Sequence, residues 1–290
     1  MYILKDIKME LIKEKCYPQE RALYESKHLH LKGCSFTGDE DGESALKESE
    51  YIKVEGCYFN LRYPLWHARN VEIDSCEMTD KCRAPLWYSF DTGIVNTKIN
   101  GTKAVRECNT VSIKDCHIIS DEFGWDTNHI TVKSSYIEGA YLMSRAKGLR
   151  VVKLQMKGKY SFQYIENAIF ENCTLDTKDA FWHAKNVTMK NSVVNGEYLG
   201  WYSENLTFEN CVITGTQPLC YCKNLRLINC EMHGCDLAFE KSTVSAEITT
   251  PVISIKNVTS GTITAPSVDK IICDDTERYK GIIEIKKAEN

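Results

Sequence analysis

Apolar and polar positions alternate along this chain in short runs that repeat. The run Asn205-Leu206-Thr207-Phe208-Glu209-Asn210-Cys211-Val212-Ile213 has a counterpart nineteen residues earlier, from Asn186, and another nineteen later, from Asn224. Aligned on Cys211, one column reads Cys34, Cys57, Cys76, Thr97, Cys116, Ser135, Leu154, Cys173, Ser192, Cys211 and Cys230, with steps of 19 apart from one of 23 and one of 21. Three residues before it stand Ile73, Ile94, Ile113, Val132, Val151, Phe170, Met189, Phe208 and Leu227; two after it stand Met78, Ile99, Ile118, Ile137, Met156, Leu175, Val194, Ile213 and Met232. Both columns are apolar in every repeat and are expected to point inward. The residue between them and the Cys column, among them Lys114, Lys133, Glu171, Lys190 and Glu209, is expected to face water. Period-two alternation of this kind predicts short half-buried strands.

Two further columns mark the turns. Asn70, Asn167, Asn186, Asn205 and Asn224 precede the Cys column by six residues, where stacked amides can bond one another along an axis. Gly101, Gly139, Gly158, Gly196, Gly215 and Gly234 follow it by four, which suggests a turn with positive φ. A period of 19 excludes the common helical repeats, which need roughly 33 residues or more. The expectation is an all-β fold: a single-stranded right-handed parallel β-helix, a solenoid of about ten coils of 19 residues. One domain, 1–290, is expected, with an N-terminal cap over 1–28, regular coils over 29–242, and irregular C-terminal coils and cap over 243–290.

The Asn-x-x-x-x-Asn-Cys lines and the Pro64-Leu65-Trp66-His67-Ala68 type of segment resemble the pectin-lyase-like right-handed β-helix superfamily, and within it a bacterial family of short single-domain β-helices of unknown function. The resemblance covers roughly residues 29–242. It implies architecture and, for an enzyme, a polysaccharide lyase or glycoside hydrolase. The superfamily's Asn-Thr-Asp, paired Asp, Gly-His-Gly and Arg-x-Lys segments do not occur here as a set, so no catalytic residue is carried over.

Composition narrows the partners. A formal net charge of -4 gives no basic footprint for a nucleic-acid backbone, and no apolar run reaches the roughly 20 residues of a membrane helix. The N-terminus shows no secretory signal pattern. Half of the 14 cysteines fall in one column that elsewhere takes Ser, Thr or Leu, as a small packing residue does. Reduced cysteines and a cytoplasmic location are therefore expected. No cofactor or metal is expected. Cys220-Tyr221-Cys222 with Cys230 and Cys235 lacks a second paired ligand set, and Asp39-Glu40-Asp41 with Glu43 reads as a solvated loop.

The third segment of each coil carries the most varied side chains, and it reads as a third parallel sheet. Strand alternation places its Trp column inward and its His67, Tyr88, Glu107, Asp126, Arg145, Tyr164, His183, Tyr202, Tyr221 column outward. Glu107, Asp126 and Arg145, one coil apart, are the candidate catalytic residues. Tyr88, Arg106, Tyr164, His183 and Tyr202 are the candidate ligand-binding residues. Two carboxyls can act as acid and base, an Arg can pair with a uronate, and aromatic rings can pack on sugars. An acidic oligosaccharide, bound or cleaved, is the first expected partner; a salt-bridged surface ladder without function uses the same residues. The alternative is a non-catalytic scaffold associating through this sheet as a homodimer. Alternation turns Leu65, Leu86, Val105, Met143, Phe162, Phe181 and Leu219 outward too, which would make an apolar patch. A bend between Leu65 and Trp66 would instead turn that column inward.

Overall fold

Most coils are built from one six-residue strand, a corner, and one shorter strand, and the corner explains the sequence repeat. The computed structural model describes residues 4, 7–38, 43–275 and 283–287. Residues 39–41 of the acidic loop, and residues 276–282 and 288–290 of the expected C-terminal cap, lie outside them. The described chain is all-β, a right-handed parallel solenoid of about 14 turns of ~19 residues. It divides into two compact units, Met1–Arg150 and Val151–Asn290.

In the first unit, Glu10–Lys13, Lys27–Lys32, Glu50–Glu55, Arg69–Asp74, Phe90–Val95, Asn109–Lys114 and Asn128–Lys133 form one parallel sheet. Its register is the sequence period: Ile73 opposes Ile94, Ile94 opposes Ile113 and Ile113 opposes Val132. The short strands Tyr58–Phe59, Glu77–Met78, Lys98–Ile99 and His117–Ile119 pair in the same way in a second sheet. In the second unit, Glu166–Glu171, Lys185–Lys190, Glu204–Glu209 and Leu225–His233 continue the pattern. Leu225–His233 runs unbroken through both sheets, pairing with Glu204–Glu209 and with Val212–Thr214.

The coil count exceeds ten because coils exist where the Cys column ends. Glu10–Lys13 and Cys16–Tyr17 pair with Lys27–Lys32 and Ser35–Phe36. Lys15 stands there in the place of Cys34, since the Ser35 N–H donates to its carbonyl just as the Tyr58 N–H donates to that of Cys34. Beyond residue 242, Thr243–Ile248 pairs with Leu225–His233 and Ser260–Ala265 pairs with Thr243–Ile248, so the second unit's long strands go on.

Both apolar columns fill the interior: Ile73, Ile94, Met78 and Ile99 are buried in the first unit, Phe170, Met189, Leu175 and Ile213 in the second. The charged column is exposed at Lys114 and Lys133 and half-buried at Glu171, Lys190 and Glu209, with Lys190 Nζ 2.8 Å from Glu209. At the corner, the Cys211 thiol donates to the carbonyl of Glu209 and to that of Met189 one coil back. The Ser192 hydroxyl donates to the Lys190 carbonyl and accepts the Cys173 N–H. Cys, Ser and Thr interchange in this column because each supplies one small hydrogen-bonding group at a buried corner. A second corner column, with Ser89, Cys108, Thr127, Ser203 and Cys222, bonds in the same way. All 14 cysteines are free thiols, and only Cys16 and Cys273 are exposed. Burial pushes the Cys108 and Cys222 thiols up to about 12, so they act as packing donors rather than nucleophiles.

The Asn columns stack as expected: Asn186 donates to Asn167, Asn205 to Asn186 and Asn224 to Asn205, at 2.8–3.0 Å. Most of the Gly column takes the expected positive φ: Gly139 154°, Gly196 153°, Gly215 123° and Gly234 65°. Gly101 differs: it needs no positive φ, yet a Cβ there would lie 1.9 Å from the Cys82 carbonyl oxygen, so close approach of the neighbouring coil selects glycine at that position.

The expected third sheet is not a sheet. Each coil crosses this side in turns, with alternate residues at positive φ: Tyr63 61°, Leu65 60° and His67 54°, then Ala84 48°, Leu86 63° and Tyr88 58°. Successive positive-φ residues bond in opposite directions. The Leu65 N–H reaches back to the Ala45 carbonyl, and the His67 N–H reaches forward to that of Trp87. Pairs of adjacent side chains, rather than alternate ones, therefore share a direction. Pro64 and Leu65 are buried, Trp66 and His67 face out, and Ala68 is buried again. Leu65, Leu86, Val105 and Met143 in the first unit and Phe162, Phe181 and Leu219 in the second are all buried. The apolar outer patch does not exist, and dimerisation through it loses its basis. The Trp column, expected inside, is half-exposed.

Candidate functional site

The turn side of the first unit gathers five of the nominated residues. His67 and Tyr88 stack at 5.0 Å, and Trp66 meets Trp87 edge-on at 5.4 Å. Arg106 occupies the Trp column one coil on, its guanidinium 5.2 Å from the Trp87 ring and 5.4 Å from that of Trp125. The same guanidinium bonds Glu122 through Nη1 at 2.6 Å and Glu107 through Nε at 3.2 Å, and Lys103 completes the group at 3.5 Å from Glu122. Arg106 is thus held by two rings and two carboxylates. Burial, then the Glu107 carboxylate, hold the Tyr88 phenol above its usual range.

Glu107, Asp126 and Arg145 occupy the same place in consecutive coils, for the Glu107 N–H donates to the Trp125 carbonyl and the Asp126 N–H to that of Ser144. Glu107 is half-buried; Asp126 and Arg145 are exposed. Among the described residues, neither of those two side chains makes an ion pair, with each other or elsewhere. The sequence reading missed Glu122 and Lys103, which lie outside the outward column, and missed Trp87 and Trp125, which it placed inside. The signal was available: an Arg interrupting a Trp column at coil spacing.

In the second unit the remaining nominees form a ladder of their own. Tyr164, His183, Tyr202 and Tyr221 stack at 4.8, 5.1 and 4.7 Å, and Trp182 stacks on Trp201 at 5.3 Å. The Trp182 and Trp201 indole N–H groups donate to the Tyr198 and Gln217 carbonyls at 2.7 and 2.8 Å. Burial pushes the His183 imidazolium down, keeping the ring neutral within the stack. Burial and then Glu240 push the Tyr221 phenol up to about 12. Because the rings stack face to face along the axis, they offer edges and hydroxyls to solvent rather than open faces.

The first unit also carries a hollow that no motif announced. On the outer face of its first sheet, Asn70, Asp91, Thr110, Ser112, His129 and Thr131 line a cavity of about 670 Å³. Its size is that of a small-molecule site. Asp91 and His129 are two coils apart, so they do not form one acid–base couple.

Stacked parallel coils, hydrogen-bonded corners and ladders of like side chains define the class: a parallel β-solenoid. Residues 10–286 match the profile of the family described as protein of unknown function (DUF3737), and the chain belongs to that family. No curated protein sequence matches it. Among solved structures it is similar to PfbA, a surface adhesin of Streptococcus pneumoniae, at 9% identity, covering 98% of this chain and 84% of that one with a TM-score of 0.39. It is similar to a tailspike protein double mutant of E. coli bacteriophage HK620 in complex with pentasaccharide, at 10% identity, 96% and 72% coverage and a TM-score of 0.39. HetL, a pentapeptide repeat protein from the cyanobacterium Nostoc, matches at 11% identity, 73% and 86% coverage and a TM-score of 0.27.

Proposed function

We propose that the turn side of the Met1–Arg150 unit binds an acidic oligosaccharide, with Arg145 taking a uronate carboxylate and Asp126 and Glu107 accepting sugar hydroxyls. The observation that carries this reading is the contrast within one column. Arg106, Glu107, Glu122 and Lys103 are paired with one another, whereas Asp126 and Arg145 stand exposed and outside any ion pair among the described residues. Two opposite charges fixed on a rigid ladder, with no internal partner, suit a ligand that carries both an anion and hydroxyl donors. Tyr88, with its ring stacked on His67, supplies an amphipathic edge beside them. In the second unit, Tyr164, His183 and Tyr202 present a comparable row of edges and hydroxyls.

A second reading, cleavage by a polysaccharide lyase or glycoside hydrolase of pectin-lyase-like ancestry, has one observation in its favour. Glu107 and Asp126 are one coil step apart, ~4.8 Å, close to the ~5 Å that a retaining carboxyl pair requires. A microarray of uronate-containing and neutral oligosaccharides, read for binding and then for new reducing ends, tests both. Binding without turnover supports the first reading, turnover lost in Glu107→Gln supports the second, and neither binding nor turnover removes both.

A further inference from the structure

The Asn column that bonds itself into a ladder in the second unit is open in the first. Asn167, Asn186, Asn205 and Asn224 bond one another in series. They stand at φ of 54–59°, a conformation that Asn accepts more readily than most residues. In the first unit the same place in the coil is taken by Asn70, Asp91, Thr110, His129 and Gly148, still at φ of 51–68°. Thr110 holds 58° although it is β-branched, a costlier choice there than Asn. Its hydroxyl donates to the Asn109 side chain at 3.0 Å. The side chains of Asn70, Asp91 and His129 have no hydrogen-bond or ion-pair partner among the described residues. A self-bonded ladder has become a row of free polar groups.

That row is one wall of the hollow of about 670 Å³, and Ser112 and Thr131, each two residues on from Thr110 and His129, supply the other. Gly148 lets the His129 ring lie over the next coil, since a Cβ there would come within 3.2 Å of His129 Cδ2. Among the described residues that line the hollow, Asp91 is the one carboxylate, and no Lys or Arg balances it. Asp91 and His129 lie two coil steps apart, ~9.6 Å, too far to share a metal ion. Thr110 and Ser112 lie on the strand next to that of Asp91, one step away.

We propose that this hollow binds a small organic ammonium carrying hydroxyls, of the amino-sugar class. The ammonium pairs with the Asp91 carboxylate in a charge-assisted hydrogen bond. The ligand's hydroxyls bond the Asn70 amide and the Thr110, Ser112 and Thr131 hydroxyls, and the His129 ring bounds the far end. An unbalanced carboxylate repels a uronate, so the ligand class differs from that of the turn side. The two sites share no residue, and each stands or falls independently of the other.

The test titrates the full chain with D-glucosamine, N-acetyl-D-glucosamine and D-glucose, followed by amide NMR shifts. Glucosamine should bind saturably and at least tenfold more tightly than the two neutral sugars. Asp91→Asn, which keeps the size and suits the φ of 51°, should weaken glucosamine at least tenfold. Thr131→Phe fills the hollow from an exposed strand position that accepts an aromatic ring, and should do the same without touching the charge. Circular dichroism checks that both variants fold, and if Asp91→Asn does not, the neutral sugars and Thr131→Phe still decide. Absence of saturable glucosamine binding to wild type overturns the proposal, as does equal affinity for the three sugars. Undiminished binding to either folded variant also overturns it, by placing the amine outside this hollow.

Discussion

Replacing Thr92 by Val should stabilise the protein. Thr92 sits in the inward column whose members on the neighbouring coils are Val71 and Val111, and it is 1% exposed. Its Oγ1 is buried and has no hydrogen-bond partner. A buried hydroxyl without a partner costs about 1–3 kcal/mol, and the methyl that replaces it adds up to ~0.8 kcal/mol of burial. Val has the shape of Thr and opens no cavity, so the net gain should be about 1–3 kcal/mol. In a cooperative unit of roughly 150 residues, each kcal/mol raises the midpoint by about 2–4 °C. Thermal and urea unfolding followed by circular dichroism would read the change. Val111→Thr, one coil on, is the mirror experiment and should lower stability by a similar amount. A Thr92→Val protein no more stable than wild type would show that the hydroxyl is satisfied, and an unaffected Val111→Thr would refute the inward assignment of the column.

Other outcomes follow from the corners and ladders. Ser203→Ala removes a hydroxyl that donates to the Phe181 carbonyl and accepts the Ala184 N–H, and should cost about 1–3 kcal/mol, whereas Ser203→Cys should cost less than half of that in the same unfolding assay. Asp179 is buried, and its carboxyl is held above the usual range by burial. The raised folded value means its contribution to stability is complete below the ordinary carboxylate range and is lost as pH rises through the folded value. Asp179→Asn, tolerated at its φ of 54°, should therefore melt higher than wild type at pH 7 and no higher at pH 3. The His183 ring should titrate below the ordinary imidazole value when followed by NMR; a midpoint at or above that value would contradict its burial in the tyrosine stack.

The inward columns were legible because strand alternation has a fixed period, and Ile94, Phe170 and Met232 obey it. The Cys, Ser and Thr interchange was legible as a small-residue column, but not as a hydrogen-bonded corner. The turn side was misread for a physical reason. Leu65, His67, Leu86 and Tyr88 adopt positive φ without being Gly or Asn, so nothing in their identity signals it. Hydrogen bonds to the coils on either side hold them there against an intrinsic cost of roughly 1–2 kcal/mol per residue. Alternation then fails, and Trp66 exchanges places with Leu65. The column of Glu107, Asp126 and Arg145 survived the error because it faces outward on either reading. The hydrogen bond from the Leu4 N–H to Glu72 has no motif at all, because it joins residues 68 apart in the chain.

Binding of an anionic sugar through Arg145 is the central functional claim, and calorimetric titration of a uronic-acid trisaccharide into wild type and Arg145→Glu tests it most directly. The account predicts measurable binding to wild type, at least a tenfold loss in Arg145→Glu, and a neutral trisaccharide of the same linkage bound by neither. Equal affinity of the two proteins for the uronate, with both folded, would contradict it.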